Sequence, residues 1–178
     1  MTSLPDTEAQ IREVTSADAP SIVSIYNWYV ENSSTTFEVE RVTVDAMAIR
    51  IQNAGQSNPW IVIEKSGQLL GYAYAAPWKP RAAYAQAKET SVYVRHDAGG
   101  QGLGLALMQN LIDKVRNKPI HVLIAGITLP NPASVALHEK LGFSPVGQFK
   151  QVGYKFDQYI DVGYWQLLLE NTCRFDDI

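Results

Sequence analysis

The stretch from Glu89 to Met108 constrains this chain more than any other. A β-branched run over residues 90–94 stops at a polar turn, four glycines follow (Gly99, Gly100, Gly102, Gly104), and an apolar helical pattern begins at once. Strand, glycine loop and helix in that order aim unpaired backbone N–H groups and the positive end of a helix at one point, where a phosphate would sit. Glycine suits such a loop because a Cβ would hold the backbone away from the anion. Two phosphate loops are excluded by spacing. No Lys followed by Ser or Thr comes after these glycines, as a P-loop requires. A G-x-G-x-x-G count from Gly100 or Gly102 ends on Leu105 or Leu107 instead of Gly or Ala. A plain glycine-rich turn ahead of a helix stays open beside the anion site.

The 178 residues suit one domain, 1–178, with a core over about 11–169. A hydrophobic fraction of 46% with 19% charged residues is ordinary for a globular chain. The net charge of −3 leaves no basic excess to neutralise nucleic-acid phosphates, so none is expected as a partner. The single cysteine, Cys173, cannot close an internal disulfide and reads as an inert near-terminal thiol. Residues 1–10 hold no basic-then-apolar signal segment, and no apolar run is long enough to span a membrane. The expected setting is cytoplasmic. His96 and His121 are too isolated to suggest a metal site, so no metal is expected.

The chain reads as strands and helices without repeats or a dividing linker. A short strand over 11–14 leads to a helix capped by Ser16 or Asp18, with Pro20 tolerated in its first turn. That helix carries Ile22, Val23, Ile25, Tyr26 and Tyr29 on one side. Residues 32–36 break it, and a second helix over 44–54 ends at Gly55. Strands over 60–64 and 69–76 form a hairpin through Ser66, Gly67 and Gln68. Residues 77–88 make a loop of about a dozen positions, long enough to suspect function. The glycine-loop helix runs to about Arg116. An apolar strand over 121–128, a helix over 131–141 stopped by Gly142, and strands over 145–152 and 161–169 follow. The predicted class is α/β (α+β in some schemes), a mixed sheet with helices on both faces.

Several segments together carry a resemblance. The glycine spacing fits the loop Gln/Arg-x-x-Gly-x-Gly/Ala that holds the pyrophosphate of coenzyme A in GNAT acetyltransferases. Gly99 stands where that loop begins with Arg or Gln, which removes a side chain and leaves the amides of residues 100–105. Asn131-Pro-Ala-Ser134-Val-Ala-Leu-His138-Glu-Lys140-Leu-Gly142-Phe143 resembles the second GNAT signature, Asn-x-x-Ser/Ala-x-x-Leu/Phe-Tyr/His-Glu-Lys-x-Gly-Phe. Pro77-Trp78-Lys79-Pro80-Arg81, Gly153-Tyr-Lys-Phe and Asp161-Val-Gly-Tyr-Trp165 are similar to the phosphinothricin / methionine sulfoximine N-acetyltransferase branch of that superfamily. The resemblance runs from about residue 11 to 169. It implies a GNAT fold with a mostly antiparallel sheet of about seven strands, acetyl-CoA as co-substrate, and a homodimer.

Acetyl transfer to an amine requires a lost amine proton, a polarised thioester carbonyl and a tolerated thiolate. Glu89 opens the strand that ends in the glycine loop, so its carboxylate is the candidate base; a solvated acid at a strand start is the bland alternative. The resemblance supports a glutamate acting there through water. It also implies that strand amides of Val92, Tyr93 and Val94 receive the pantetheine arm and the carbonyl. The main chain of Gly100, Gln101, Gly102, Leu103, Gly104 and Leu105 would hold the pyrophosphate, and Asn131 and Ser134 the arm. Asn131 reads equally as a helix cap. His138 is placed to protonate the thiolate or to pack structurally, and Lys140 to meet a cofactor phosphate or stand in solvent. For the acceptor, Lys79 and Arg81 lie on a proline-stiffened loop suited to a carboxylate or phosphinate. By resemblance Trp78, Lys79, Pro80, Arg81, Glu89, Thr90 and Ser91 line its pocket, with Phe37 as a second wall.

The expected activity is acetyl transfer from acetyl-CoA to the α-amine of a small amino-acid analogue, such as phosphinothricin or methionine sulfoximine. Acetylation of an L-amino acid, an aminoglycoside or a protein N-terminus is the alternative within the family. An acyl-CoA sensor without turnover is the non-enzymatic one.

Overall fold

The computed structural model describes residues 8–55 and 57–169; Cys173 lies outside them. Seven strands form one sheet in the order β1-β2-β3-β4-β5-β7-β6. They are β1 (Gln10–Glu13), β2 (Trp60–Lys65), β3 (Gln68–Pro77), β4 (Ala87–Val94), β5 (Val122–Leu129), β6 (Ser144–Lys155) and β7 (Gln158–Leu168). Every neighbouring pair is antiparallel except β4 and β5. Helices α1 (Ala19–Asn32) and α2 (Val44–Ala54) cover one face, while α3 (Leu103–Arg116) and α4 (Pro132–Lys140) cover the other.

Strand alternation sorts the side chains between two cores. Val62, Tyr72 and Tyr93 face α1 and α2, where Ile22, Tyr26, Val30 and Met47 close over them. Ile61, Ala73, Ala75 and Leu123 face α3. That helix buries Leu103, Leu107, Met108, Leu111, Ile112 and Val115 along a single stripe. Truncating one of the fully buried leucines to Ala would cost about 2–5 kcal/mol. Gly71 leaves room for both β4 and α3, since a Cβ there would come 2.8 Å from the carbonyl oxygen of Tyr93 and 3.2 Å from Leu107 Cδ1.

Two expectations need correction. Neither Ser16 nor Asp18 caps α1 with a side chain. The Asp18 carboxylate instead accepts from the Thr15 amide (2.7 Å) and from both terminal nitrogens of Arg12 (2.8 Å). Arg12 also donates to Glu64, tying β1 and β2 to the turn before α1. The last two strands are longer than predicted and join in a two-residue turn, Phe156–Asp157, with φ of 54° and 57°. The Ser66–Gly67 turn has the same handedness, with φ of 51° and 74°, and carries the glycine that announces it. Phe-Asp gives no such signal.

Candidate active site

The main chain builds the first part of the site. Gly100 and Gly102 adopt φ of 77° and 75°, a left-handed region where a side chain is penalised. Cβ atoms built at Gly99, Gly100 and Gly102 would meet nothing within 4 Å. The loop therefore opens onto free space. At the start of α3, Ala106 N–H donates to Gly102 O at 3.0 Å. The amides of Leu103, Gly104 and Leu105 precede it, and the first turn holds no acidic residue. Leu103 is buried, so only its main chain can take part, while Gln101 is exposed on the crest of the loop.

A wedge between β4 and β5 forms the second part. β4 follows β3 along its length, from Lys88 to Val94, but pairs with β5 only over Ala87, Lys88 and Glu89. Beyond that point β5 continues against β7 alone. Arg95 N–H donates to Leu70 O and Ala87 O accepts from Trp78 N–H, so odd-numbered main-chain groups of β4 point at β3. Val92 and Val94 therefore turn their amides into the wedge. Tyr93 does not: its amide belongs to the β3 side, and its ring packs among Tyr26, Tyr29 and Tyr72. The expected trio of donors is thus a pair.

Glu89 sits where the two strands part. Its side chain is half-buried on the face opposite α3, with Oε1 3.3 Å from where a Cβ of Gly126 would stand, a spot the Tyr164 ring shares. Burial raises its pKa above the ordinary carboxylate value, and the positive charge of Lys79 moderates the rise. Beside it lies a hollow of about 450 Å³ walled by Trp78, Lys79, Ile124, Phe149, Tyr164 and Gln166. Trp78 and Phe149 both meet Tyr164 edge-on, at 5.6 and 5.7 Å, and Lys79 Nζ lies 5.0 Å from the Trp78 ring centre. Tyr164, Phe149 and Gly126 were not singled out in the sequence. Tyr164 lies in the Asp161–Trp165 segment, whose strand alternation could have placed it.

The expected acceptor residues do not all converge. Ser91 shares the Glu89 face and is in register with Tyr74. Thr90 points the other way; it is buried, and its hydroxyl donates to Ile124 O at 3.4 Å, at the last pairing of β4 with β5. Adjacent residues of a strand cannot line the same face, so Thr90 leaves the expected pocket wall. Lys79 borders the hollow beside Glu89, whereas Pro80 and Arg81 border a separate groove that Lys79 also reaches. Phe37 lies flat on Gly153 of β6, where any Cβ would collide with its ring.

Helix α4 starts just past β5. Asn131 Oδ1 accepts from Ser134 N–H at 3.1 Å, so its capping role is real. His138 is buried with Nδ1 2.8 Å from Ser134 O, its ring edge-on to Phe143, and Nε2 without a partner among the described residues. Burial lowers its pKa. The neutral ring then donates from Nδ1 and leaves Nε2 as an acceptor. Lys140 is exposed in the last turn of the helix.

An open glycine loop at a helix start, a split between two parallel strands and a half-buried carboxylate at the split together suit acyl transfer. Residues 11–163 match the acetyltransferase (GNAT) domain family, and the chain belongs to that family. It is similar to the phosphinothricin N-acetyltransferase of Streptomyces viridochromogenes, 38% identical over 157 residues that cover 88% of this chain and 86% of that protein. It is 39% identical over 166 residues to the L-methionine sulfoximine/L-methionine sulfone acetyltransferase of Pseudomonas paraeruginosa, covering 92% and 96%. The solved phosphinothricin acetyltransferase from Sinorhizobium meliloti, in complex with acetyl-CoA, matches with a TM-score of 0.87 at 34% identity, over 92% of this chain and 90% of that one.

Proposed function

We propose that the protein transfers acetyl from acetyl-CoA to the α-amine of a small amino-acid analogue carrying an anionic group, of the phosphinothricin or methionine sulfoximine type. The observation that carries this reading is Glu89, half-buried at the mouth of the wedge with a raised pKa. Amides of residues 100–105 hold the pyrophosphate, Asn131 and Ser134 steady the pantetheine arm, and Lys140 meets a phosphate at the rim. The acceptor lies in the aromatic hollow with its anionic group toward Lys79.

Attack is direct. Glu89 takes a proton from the acceptor ammonium, at first hand or through one water, and the freed amine nitrogen bonds to the thioester carbonyl carbon. One of the Val92 and Val94 amides faces the oxygen as charge collects on it, and the other, two residues along the strand, is left for the pantetheine arm. The C–S bond then breaks, the sulfur leaves as thiolate, and as the amide forms the nitrogen's surplus proton passes to that thiolate. His138 can protonate it only from its minor, charged form, because burial favours the neutral ring.

The protein works as a cytoplasmic homodimer in this reading. Val146, Phe149, Val152, Tyr154, Phe156 and Tyr159 are exposed along the β6–β7 edge, an apolar surface suited to a second copy. Acetylation of phosphinothricin would give resistance to that herbicide.

The test is thiol release from acetyl-CoA across amino acids and their sulfoximine and phosphinic analogues. Turnover should be fastest with an anionic analogue; binding of acetyl-CoA without thiol release for any amine would make the protein a sensor. Glu89→Gln should lower kcat about 10²–10⁴-fold with acetyl-CoA binding intact. A raised carboxylate pKa means that ionised Glu89 burdens the fold above that pKa. The same substitution should therefore leave Tm at neutral pH unchanged or higher. Unchanged kcat would remove Glu89 from the reaction.

A further inference from the structure

Strand β4 passes into the glycine loop through the peptide unit between Val94 and Arg95, and both polar groups of that unit are taken. Arg95 N–H donates to Leu70 O of β3 at 2.7 Å. Val94 O, which alternation turns away from β3 and toward the wedge, accepts from the Tyr29 hydroxyl at 2.6 Å. Tyr29 belongs to α1, and its half-buried ring meets Trp28 and Tyr93 edge-on, at 5.1 and 5.3 Å. Burial raises its pKa, so the hydroxyl stays protonated and donates. Trp28 in turn lies flat on His96, 4.6 Å between ring centres and 4° from parallel. His96 opens the short turn His96–Ala98 that leads into Gly99. Helix α1 therefore grips the strand-to-loop junction at two points, by a hydrogen bond at residue 94 and by stacking at residue 96.

Packing alone does not call for the hydroxyl. A phenyl ring would keep the same edge contacts with Trp28 and Tyr93. What the oxygen adds is a partner for a main-chain acceptor on the open side of β4, where no neighbouring strand supplies one. Without it the Val94–Arg95 unit is held from β3 only and is free to tilt. A tilt there reaches the Val94 amide on one side and the start of the glycine loop on the other. It does not reach the base: at roughly 3.3 Å per residue, Val94 lies about 16 Å from Glu89 along the strand.

Resting on the reading that the wedge and the glycine loop hold acetyl-CoA, we propose that Tyr29 is a positioning residue for the cofactor. Its hydroxyl fixes the Val94–Arg95 peptide so that the wedge amides and the glycine-loop amides present one continuous set of donors. Because Val94 O is already answered, Tyr29 also marks where the pantetheine arm stops pairing with β4 and turns toward the loop.

The experiment compares wild type with Tyr29→Phe, which keeps the ring and removes the oxygen. Acetyl-CoA binding is read by calorimetry. Thiol release is read with acetyl-CoA and with S-acetyl-N-acetylcysteamine, a short thioester that lacks the diphosphate and the far half of the arm. Tyr29→Phe should raise the Kd and KM for acetyl-CoA about three- to tenfold, as loss of one neutral hydrogen bond implies. The kcat at saturating acetyl-CoA, the acceptor KM and the kcat/KM for the short thioester should stay at wild-type values. A side chain that only supports the fold would lower Tm and slow both thioesters alike, and that result would overturn the proposal. So would an unchanged Kd in Tyr29→Phe beside a wild type that binds acetyl-CoA, which leaves the acetyltransferase reading standing. Wild-type protein that fails to bind acetyl-CoA would sink that reading, and the role of Tyr29 with it.

Discussion

The two ends of β4 both invite negative charge, by different means. At the Val94 end the donors are main-chain amides held by Gly100, Gly102 and the first turn of α3. They have no pKa in the working range and no rotamers to freeze, and their direction is set by the backbone. At the Ala87 end the positive charge sits on the side chains of Lys79, Arg81, Lys88 and Lys118, which line one groove and would spend rotamer entropy to hold an anion. The first design tolerates almost any side chain that leaves the backbone alone. The second depends on charge, so single substitutions can tune or abolish it.

That contrast can be broken most sharply at the glycine loop. Gly102→Val forces a β-branched residue into a left-handed conformation and fills the open space in front of the helix. The KM for acetyl-CoA should rise at least about tenfold, as loss of one good anion contact of about 1.4 kcal/mol implies, while Gln101→Ala should leave it near the wild-type value. Equal effects would mean that side chains hold the cofactor. A smaller effect is expected from Asn131→Ala, which removes the cap of α4 and should lower stability by about 1 kcal/mol in chemical denaturation. The smallest is a pH effect. Lys79 lowers the pKa of Glu89, opposing burial, so Lys79→Met should move the acidic limb of the kcat/KM profile to higher pH. A limb that stays in place would separate Lys79 from the base.

The sequence announced features made by neighbours along the chain. The glycine loop, the Asn131 cap and the Ser66–Gly67 hairpin each place a tell-tale residue at the position whose backbone demands it. Features made across the chain were harder to see. Alternation alone would have turned Thr90 away from Glu89 and the Tyr93 amide away from the wedge, had the period of two been applied to these donors and not only to the core. Arg81 lies in a loop with no period, so no pattern could say which hollow it borders. The Phe156–Asp157 turn hid because its left-handed residues are not the usual glycine or asparagine. Lys88 hid because the sequence reads residues 77–88 as a loop, whereas β4 begins at Ala87 and pairs Lys88 with buried Leu123.

The ammonium of Lys155 ties the tip of the last hairpin to the segment leaving α1, and Gly153 gives the Phe37 ring a flat bed on the same hairpin. Strand and loop are therefore stitched at two points. A displacement of the outer hairpin would drag the phenyl ring with it, so the segment that follows α1 and the sheet's outermost edge shift as a unit.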